Sequence, residues 1–360
     1  MEEESILKKL AFPFLILLIL YAAGCQLGST LPDPETEGRN LRTAEGLIEY
    51  LQKQSLPAVE SVEKWPSKYG EGLVITTDHY KIYTTLLEPL MLYQVPGFME
   101  SAYRGYQDQL PSTIETKTKF TIYIFATRQQ WEDFTIAFTG PAAPVYLKIQ
   151  RGAYFLNGVC VAYNIGRTRT FSVLGHEGWH QFNAYCFKYR LPSWVDEGIA
   201  MLFETSKYEQ GWFKFEPDKN LGRLGSLKNV LAKNKMIPLK ELIGLNPGEV
   251  LIHPDTEAAM AFYAQSYALV RFLREEDYGK RLRNFHRLLL GGLSGTWPLD
   301  EPERTIAADR DTLPTAKWNR DVANLLFTAY ISDEFERLNS EYVTFCRKLV
   351  YRVYSKKKHL

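Results

Sequence analysis

Residues 173–182 read Val-Leu-Gly-His-Glu-Gly-Trp-His-Gln-Phe, and residues 191–200 read Leu-Pro-Ser-Trp-Val-Asp-Glu-Gly-Ile-Ala. A helix is expected over about Thr170 to Phe187. Residues four apart on a helix lie one above the other, so His176 and His180 project from one face toward a shared point. Neutral imidazole nitrogen is a good zinc ligand, at about 2.0–2.1 Å. Glu177 is rotated about a quarter turn away, beside that point, where it can take a proton from a water held there. Gly175 and Gly178 are expected to keep the helix surface low near the metal. A glycine inside a helix costs about 1 kcal/mol against alanine, so each needs a packing or access reason. With 6 His in 360 residues, a chance pairing at this spacing is rare.

A catalytic zinc of this kind takes three protein ligands and keeps one position open. Pro192 breaks the chain, Ser193 is placed to cap a new helix, and Glu197 on that helix can return against the first one. Its carboxylate would complete a His176, His180, Glu197 set. Asp196 is the competing ligand, and otherwise a partner behind one of the imidazoles. Glu204 falls two turns beyond Glu197 on roughly the same face, and is either an acceptor for a ligand histidine or a solvated acid.

Together these two segments resemble the gluzincin metallopeptidases, and most nearly the small bacterial branch described as peptidase-MA-like. The likeness is strong over about residues 170–204, weaker from Leu73 to Leu273, and fades in the last eighty. The resemblance implies one zinc ion per chain held by His176, His180 and Glu197, with Glu177 as general base and a peptide or protein as substrate. It also implies a two-lobed, thermolysin-like core: a small N-terminal mixed sheet with helices, an active-site helix and a largely helical C-terminal lobe. Gluzincins place an antiparallel edge strand above the metal, and Gly152, Ala153 and Tyr154 are the candidates to pair with substrate backbone. Tyr263, Tyr267 and His253 are the candidates for stabilising the oxyanion. A catalytically silent gluzincin-fold lipoprotein that acts as a binding or assembly factor is the alternative; a third reading is metal-dependent hydrolysis of another amide, such as a cell-wall linkage. His79, His286 and His359 read as structural or solvated.

Around this centre the patterning supports an α+β chain, strands with a few helices first and helices after. Asn157-Gly158 between Gly152–Leu156 and Val159–Tyr163 predicts a hairpin with a type I′ turn. Strands are expected over 73–76, 80–85 and 120–125. A short helix carrying Leu47, Ile48 and Leu51 precedes them, and Phe98, Ala102, Tyr103, Tyr106 and Leu110 recur at helical spacing. Thr127 with Gln130 makes a capping box. Beyond Pro192 the periodic segments read as helices, with Gly291-Gly292 as a stop and Ser332 as an N-cap. The expected organisation is a signal segment over 1–25, a tether with a short helix over 26–60, and one catalytic domain over 61–355. Within that domain, 61–167 carries the sheet, 168–187 the active-site helix and 188–355 the helical lobe.

The first residues carry an apolar run, Ile6 to Ala23, within which Leu10 to Gly24 has the length of a signal-peptide h-region and falls short of the roughly 20 residues a spanning helix needs. It ends in Ala22-Ala23-Gly24-Cys25, which resembles the lipobox of bacterial lipoproteins. That resemblance implies lipidation of Cys25 and an exported body tethered at the cell envelope. A cleaved signal or an uncleaved anchor are the alternatives. Cys160, Cys186 and Cys346 would then remain, as buried thiols or with one pair bridged. Composition adds exclusions. With 43 Lys plus Arg against 42 Asp plus Glu, no global field draws the chain to nucleic acid. Its 45% hydrophobic and 24% charged content exclude a mainly disordered chain, and four Cys cannot make a disulfide scaffold.

Overall fold

The computed structural model describes residues 41–355 apart from 57, 150, 151, 256 and 310–315. Cys25, its apolar run and the Lys356–His359 tail lie outside the described residues. Helix α1 (Ala44–Lys53) starts at Thr43, whose hydroxyl accepts the Gly46 N–H at 3.3 Å, and it buries Ala44, Leu47 and Leu51. Strands β1 (Val59–Ser67), β2 (Gly70–Thr77) and β3 (Tyr80–Thr84) then run antiparallel. Helix α2 (Pro89–Gln107) crosses to β4 (Phe120–Phe125), which lies parallel to β3. Helices α3 (Arg128–Thr139) and α4 (Ala143–Tyr146) lead to β5 (Ala153–Leu156) and β6 (Val159–Tyr163).

The sheet order is β1-β2-β3-β4-β6-β5, a small mixed sheet with β5 at one edge. Alternation along β4 serves both faces. Phe120, Ile122 and Ile124 enter the main core beneath α2 and α5, whereas Tyr123 and Phe125 meet Trp131 and Phe134 of α3 in a second, aromatic cluster. The turn at Asn157 (φ 49°) and Gly158 (φ 78°) has the two positive φ angles of type I′, as the Asn-Gly pair requires. The capping box is formed, with Thr127 and Gln130 exchanging hydrogen bonds.

The second half is mostly helical. Helix α5 (Arg167–Cys186) is followed by α6 (Ser193–Ala200), which ends in a 3₁₀ turn over Met201–Phe203. A hairpin of β7 (Ser206–Glu209) and β8 (Trp212–Phe215) precedes α7 (Leu221–Ala232). Short helices α8 (Leu239–Leu242) and α9 (Pro247–Leu251) lead to α10 (Glu257–Glu275), the long central helix. Helices α11 (Leu282–Ser294), α12 (Glu301–Ala308), α13 (Ala316–Tyr330) and α14 (Phe335–Ser355) complete the described chain. The architecture is α+β with a small mixed sheet. No described helix is long and apolar enough to cross a membrane, and Cys160, Cys186 and Cys346 are free thiols.

Four local expectations need correction. The first strand comes earlier than 73–76: β1 and, before it, α1 pack into the same core, and the pattern of β1 is faint because Val62 is its one buried residue among Glu60, Glu63 and Lys64. The hairpin β7–β8 interrupts the expected run of helices, turning on Gln210 and Gly211 with positive φ. Gly291 and Gly292 do not stop α11, which continues to a left-handed Gly295. Their missing side chains instead admit the Trp297 ring, which a Cβ at either would approach within 2.5–2.7 Å. Ser193 makes no cap. Its N–H is taken by the Asn319 side chain at 2.9 Å.

Candidate metal centre

Helix α5 is held against α2 by its glycines. The Tyr106 hydroxyl donates to the Gly175 carbonyl at 2.7 Å. A Cβ at Gly178 would sit 2.4 Å from that hydroxyl, and one at Gly175 would sit 2.4 Å from the Phe203 carbonyl oxygen. These glycines therefore permit close packing, not access to a metal as expected. Helix α6 is clamped the same way. A Cβ at Gly198 would lie 2.5 Å from Val270 Cγ2 and 2.7 Å from the Ser266 carbonyl, so only glycine lets α6 lie this close to α10. That contact fixes the rotation of α6 and hence the direction of Glu197.

Glu197 Oε2 lies 3.3 Å from His176 Nε2 and 3.8 Å from His180 Nε2. One donor atom from each of the three residues falls within 4.8 Å of the other two. Glu197 Oε2 is buried and has no hydrogen-bond partner among the described residues, which a carboxylate oxygen in a finished core would not tolerate. The other imidazole nitrogens are occupied. His176 Nδ1 meets Glu204 Oε1 at 3.1 Å, and His180 Nδ1 meets Asp196 Oδ1 at 3.1 Å. This is how metal-ligating histidines are usually oriented. Two imidazoles and a carboxylate aimed at one point, with Nδ1 of each ring anchored behind, fit a divalent cation such as zinc.

The electrostatics follow from burial and the surplus of carboxylates. Burial alone would lower both imidazoles, but Glu197 and Glu204 raise His176 to about 10, and Asp196 with Glu197 raises His180 to about 9. Burial would raise Glu204, yet hydrogen bonds from His176 and Arg223 hold it far below the usual carboxylate range. Asp196 is likewise lowered against burial, by His180 and by hydrogen bonds from Asn183 and Trp179. Glu177 goes the other way. Burial raises its carboxyl, and the two imidazoles and a backbone hydrogen bond from Phe155 only partly oppose that. The centre thus holds two kinds of carboxylate, those locked ionised and one kept readier to take a proton.

The remaining candidates separate. Tyr263 on α10 stands at the centre, its hydroxyl raised by burial and by the charges of Glu197 and Glu177. Tyr267 does not, because its hydroxyl donates to the Pro217 carbonyl and accepts from Arg271 at 2.8 Å. His253 is exposed after α9, accepts the Asp255 N–H at 3.0 Å, and lines a groove with Met236 and Val250 away from the convergent residues. Asp196 lies outside the convergent set. It accepts from Trp179 Nε1 at 2.9 Å and Asn183 Nδ2 at 3.1 Å while facing His180 Nδ1. Glu204 stands behind His176 and not in solvent. On β5, Ala153 faces the main core. The Tyr154 side chain packs in the aromatic cluster and hydrogen-bonds Thr135 at 3.0 Å. Only the backbone of Gly152–Tyr154 is therefore offered at the edge.

Two residues were not anticipated. Arg223 on α7 grips Glu204 with Nε at 2.9 Å and a terminal nitrogen at 2.5 Å, and lies 5.4 Å from the centre of the Tyr263 ring. Asn220, at the start of α7, donates to the same carboxylate at 2.8 Å. No local pattern marks either, since α7 reaches the centre only through the fold. The molecule is thus an α+β protein with a two-histidine, one-glutamate candidate metal centre. Residues 170–289, which span α5 to α11 and include the whole centre, match the model of a family described as a protein of unknown function (DUF1570). No curated protein matches the chain.

Proposed function

We propose that the chain is a zinc-dependent metallopeptidase of gluzincin type, with His176, His180 and Glu197 as ligands, exported and tethered through lipidated Cys25. The observation that carries the reading is the buried, unpartnered Glu197 Oε2 facing two Nε2 atoms whose rings are each fixed from behind. Zinc bound there would supply a Lewis acid for a carbonyl oxygen and lower the pKa of water. Glu177 accepts the proton of the attacking water and passes it to the leaving amine. Its raised carboxyl suits that exchange better than a solvated one would. Glu204 and Asp196 keep both Nδ1–H groups engaged, so each Nε2 points to the shared site, where a metal would displace its proton. Tyr263 stays neutral because burial and the nearby carboxylates raise its hydroxyl, leaving an O–H to donate to developing negative charge. The free edge of β5 takes an extended peptide by main-chain pairing, next to Phe155, whose backbone already contacts Glu177.

The test has two parts. Elemental analysis of the purified full chain should give about one zinc, with little in His180→Ala. Glu177→Gln should keep the zinc and lose about 10²–10⁴-fold in cleavage of a broad peptide library. A chain that takes up no zinc sinks the metal centre. Zinc without any cleavage product favours the silent binding lipoprotein.

A further inference from the structure

A cavity of about 650 Å³ lies between α2, the β7–β8 hairpin and the C-terminal end of α10. Its lining contains none of the convergent residues of the candidate metal centre. The volume is that of a small-molecule site. Its aromatic wall is built from Phe203, Trp212, Phe213 and Phe215. Two guanidinium groups open onto it. The Arg104 guanidinium carbon sits over the Trp212 ring, 3.7 Å from its centre, and its fork makes no hydrogen bond to the described residues. Arg274 donates through one terminal nitrogen to the Gln109 side chain. Neither arginine forms an ion pair among the described residues, whereas Arg223, Arg271, Arg281 and Arg320 all do.

The charge of the lining is lopsided. Glu275 is neutralised by two hydrogen bonds from Arg271, each 2.7 Å. Asp108 is the other acid of the lining, against three cations, Arg104, Arg274 and Lys214, and neither acid forms an ion pair with Arg274, although both act on it at longer range. Arg274 is largely withdrawn from water, and burial pushes its guanidinium down from its ordinary value. A cation kept in such a place with most of its donors unused is costly unless an anion meets it.

We propose that this cavity binds an oxyanion, carboxylate or phosphate, carried on an apolar or aromatic body. The anion is forked by Arg274 and Arg104, and the body packs against Trp212 and Phe215. Two guanidinium groups within one recess match the paired oxygens of either anion. The aromatic wall supplies the burial that a free inorganic ion would not use. The proposal does not depend on the metallopeptidase reading.

Calorimetric titration of the full chain with phenyl phosphate, 3-phenylpropionate and the neutral benzyl alcohol tests it. At least one of the two anions should bind, with benzyl alcohol about tenfold weaker or worse. Arg274→Gln and Arg104→Gln should each weaken that anion about tenfold or more, while the remote Arg337→Gln leaves it unchanged. Phenyl phosphate binding without 3-phenylpropionate assigns the site to phosphate, and the reverse assigns it to carboxylate. The exposed Arg104→Gln keeps the test valid if Arg274→Gln melts early. Equal binding of benzyl alcohol, indifference to both arginine substitutions, or no heat from either anion up to about 10 mM would overturn the proposal.

Discussion

His176 and His180 each turn Nε2 toward Glu197 and set Nδ1 against a carboxylate behind the ring. The carboxylates behind decide the tautomer and orientation of the ring, and so the strength of the Nε2 ligand. Asp196→Asn and Glu204→Gln should therefore each weaken zinc binding by about 10–100-fold without removing a ligand. Competition against a chelating dye at fixed pH would measure this, and parental affinity in both variants would refute it. The pair Asp196 and Glu197 also shows where sequence reading stops at this scale. Neighbours on a helix point about 100° apart, and nothing local says which of them faces the histidines.

At the scale of elements, close approach between helices explains several glycines, and it predicts opposite signs for the same substitution at two of them. A Cβ at Gly198 would run into the backbone and side chain of α10 at 2.5–2.7 Å. Gly198→Ala should then cost about 1–3 kcal/mol in urea unfolding, through overpacking. In α7, a Cβ at Gly225 would meet nothing within 4 Å. There alanine gains helix propensity, so Gly225→Ala should stabilise by about 1 kcal/mol or less. Stabilisation at Gly198 would show that α6 and α10 have room to spare. The Asn157-Gly158 hairpin and the Thr127 capping box were legible at this scale, because the bonds that make them close within a few residues. Strand β1 and hairpin β7–β8 were not, since their pairing partners, more than their own patterning, make them strands.

At the scale of the whole molecule, Glu100 links α2 to the loop between β2 and β3. Its carboxylate accepts from Thr77 Oγ1 at 2.7 Å, the His79 N–H at 2.8 Å and His79 Nδ1 at 2.7 Å. Burial would raise this carboxyl, but the hydrogen bonds outweigh it and the net shift is downward from 4.5. A depressed folded value means the unfolded chain takes up the proton first. The stabilisation is therefore complete above about pH 4.5 and is lost as pH falls through the folded value. Glu100→Gln should flatten the acid side of a stability–pH curve measured by urea unfolding, and an unchanged slope would remove Glu100 from that role.

The sequence by itself determined what short-range chemistry determines. That includes the two histidines on one helical face with Glu177 between them, the turn at Asn157-Gly158, the capped start of α3 and the α+β order of the elements. The tertiary structure alone decided which carboxylate meets the imidazoles, that Tyr263 and not Tyr267 or His253 stands beside them, and that Arg223 secures Glu204. It also revealed that Gly175, Gly178 and Gly198 serve packing. The reason is physical. Helical spacing and turn angles are fixed by neighbours a few bonds away. The rotation of α6, the reach of α7 and the commitment of the Tyr267 hydroxyl to Pro217 depend on contacts between residues far apart in the chain.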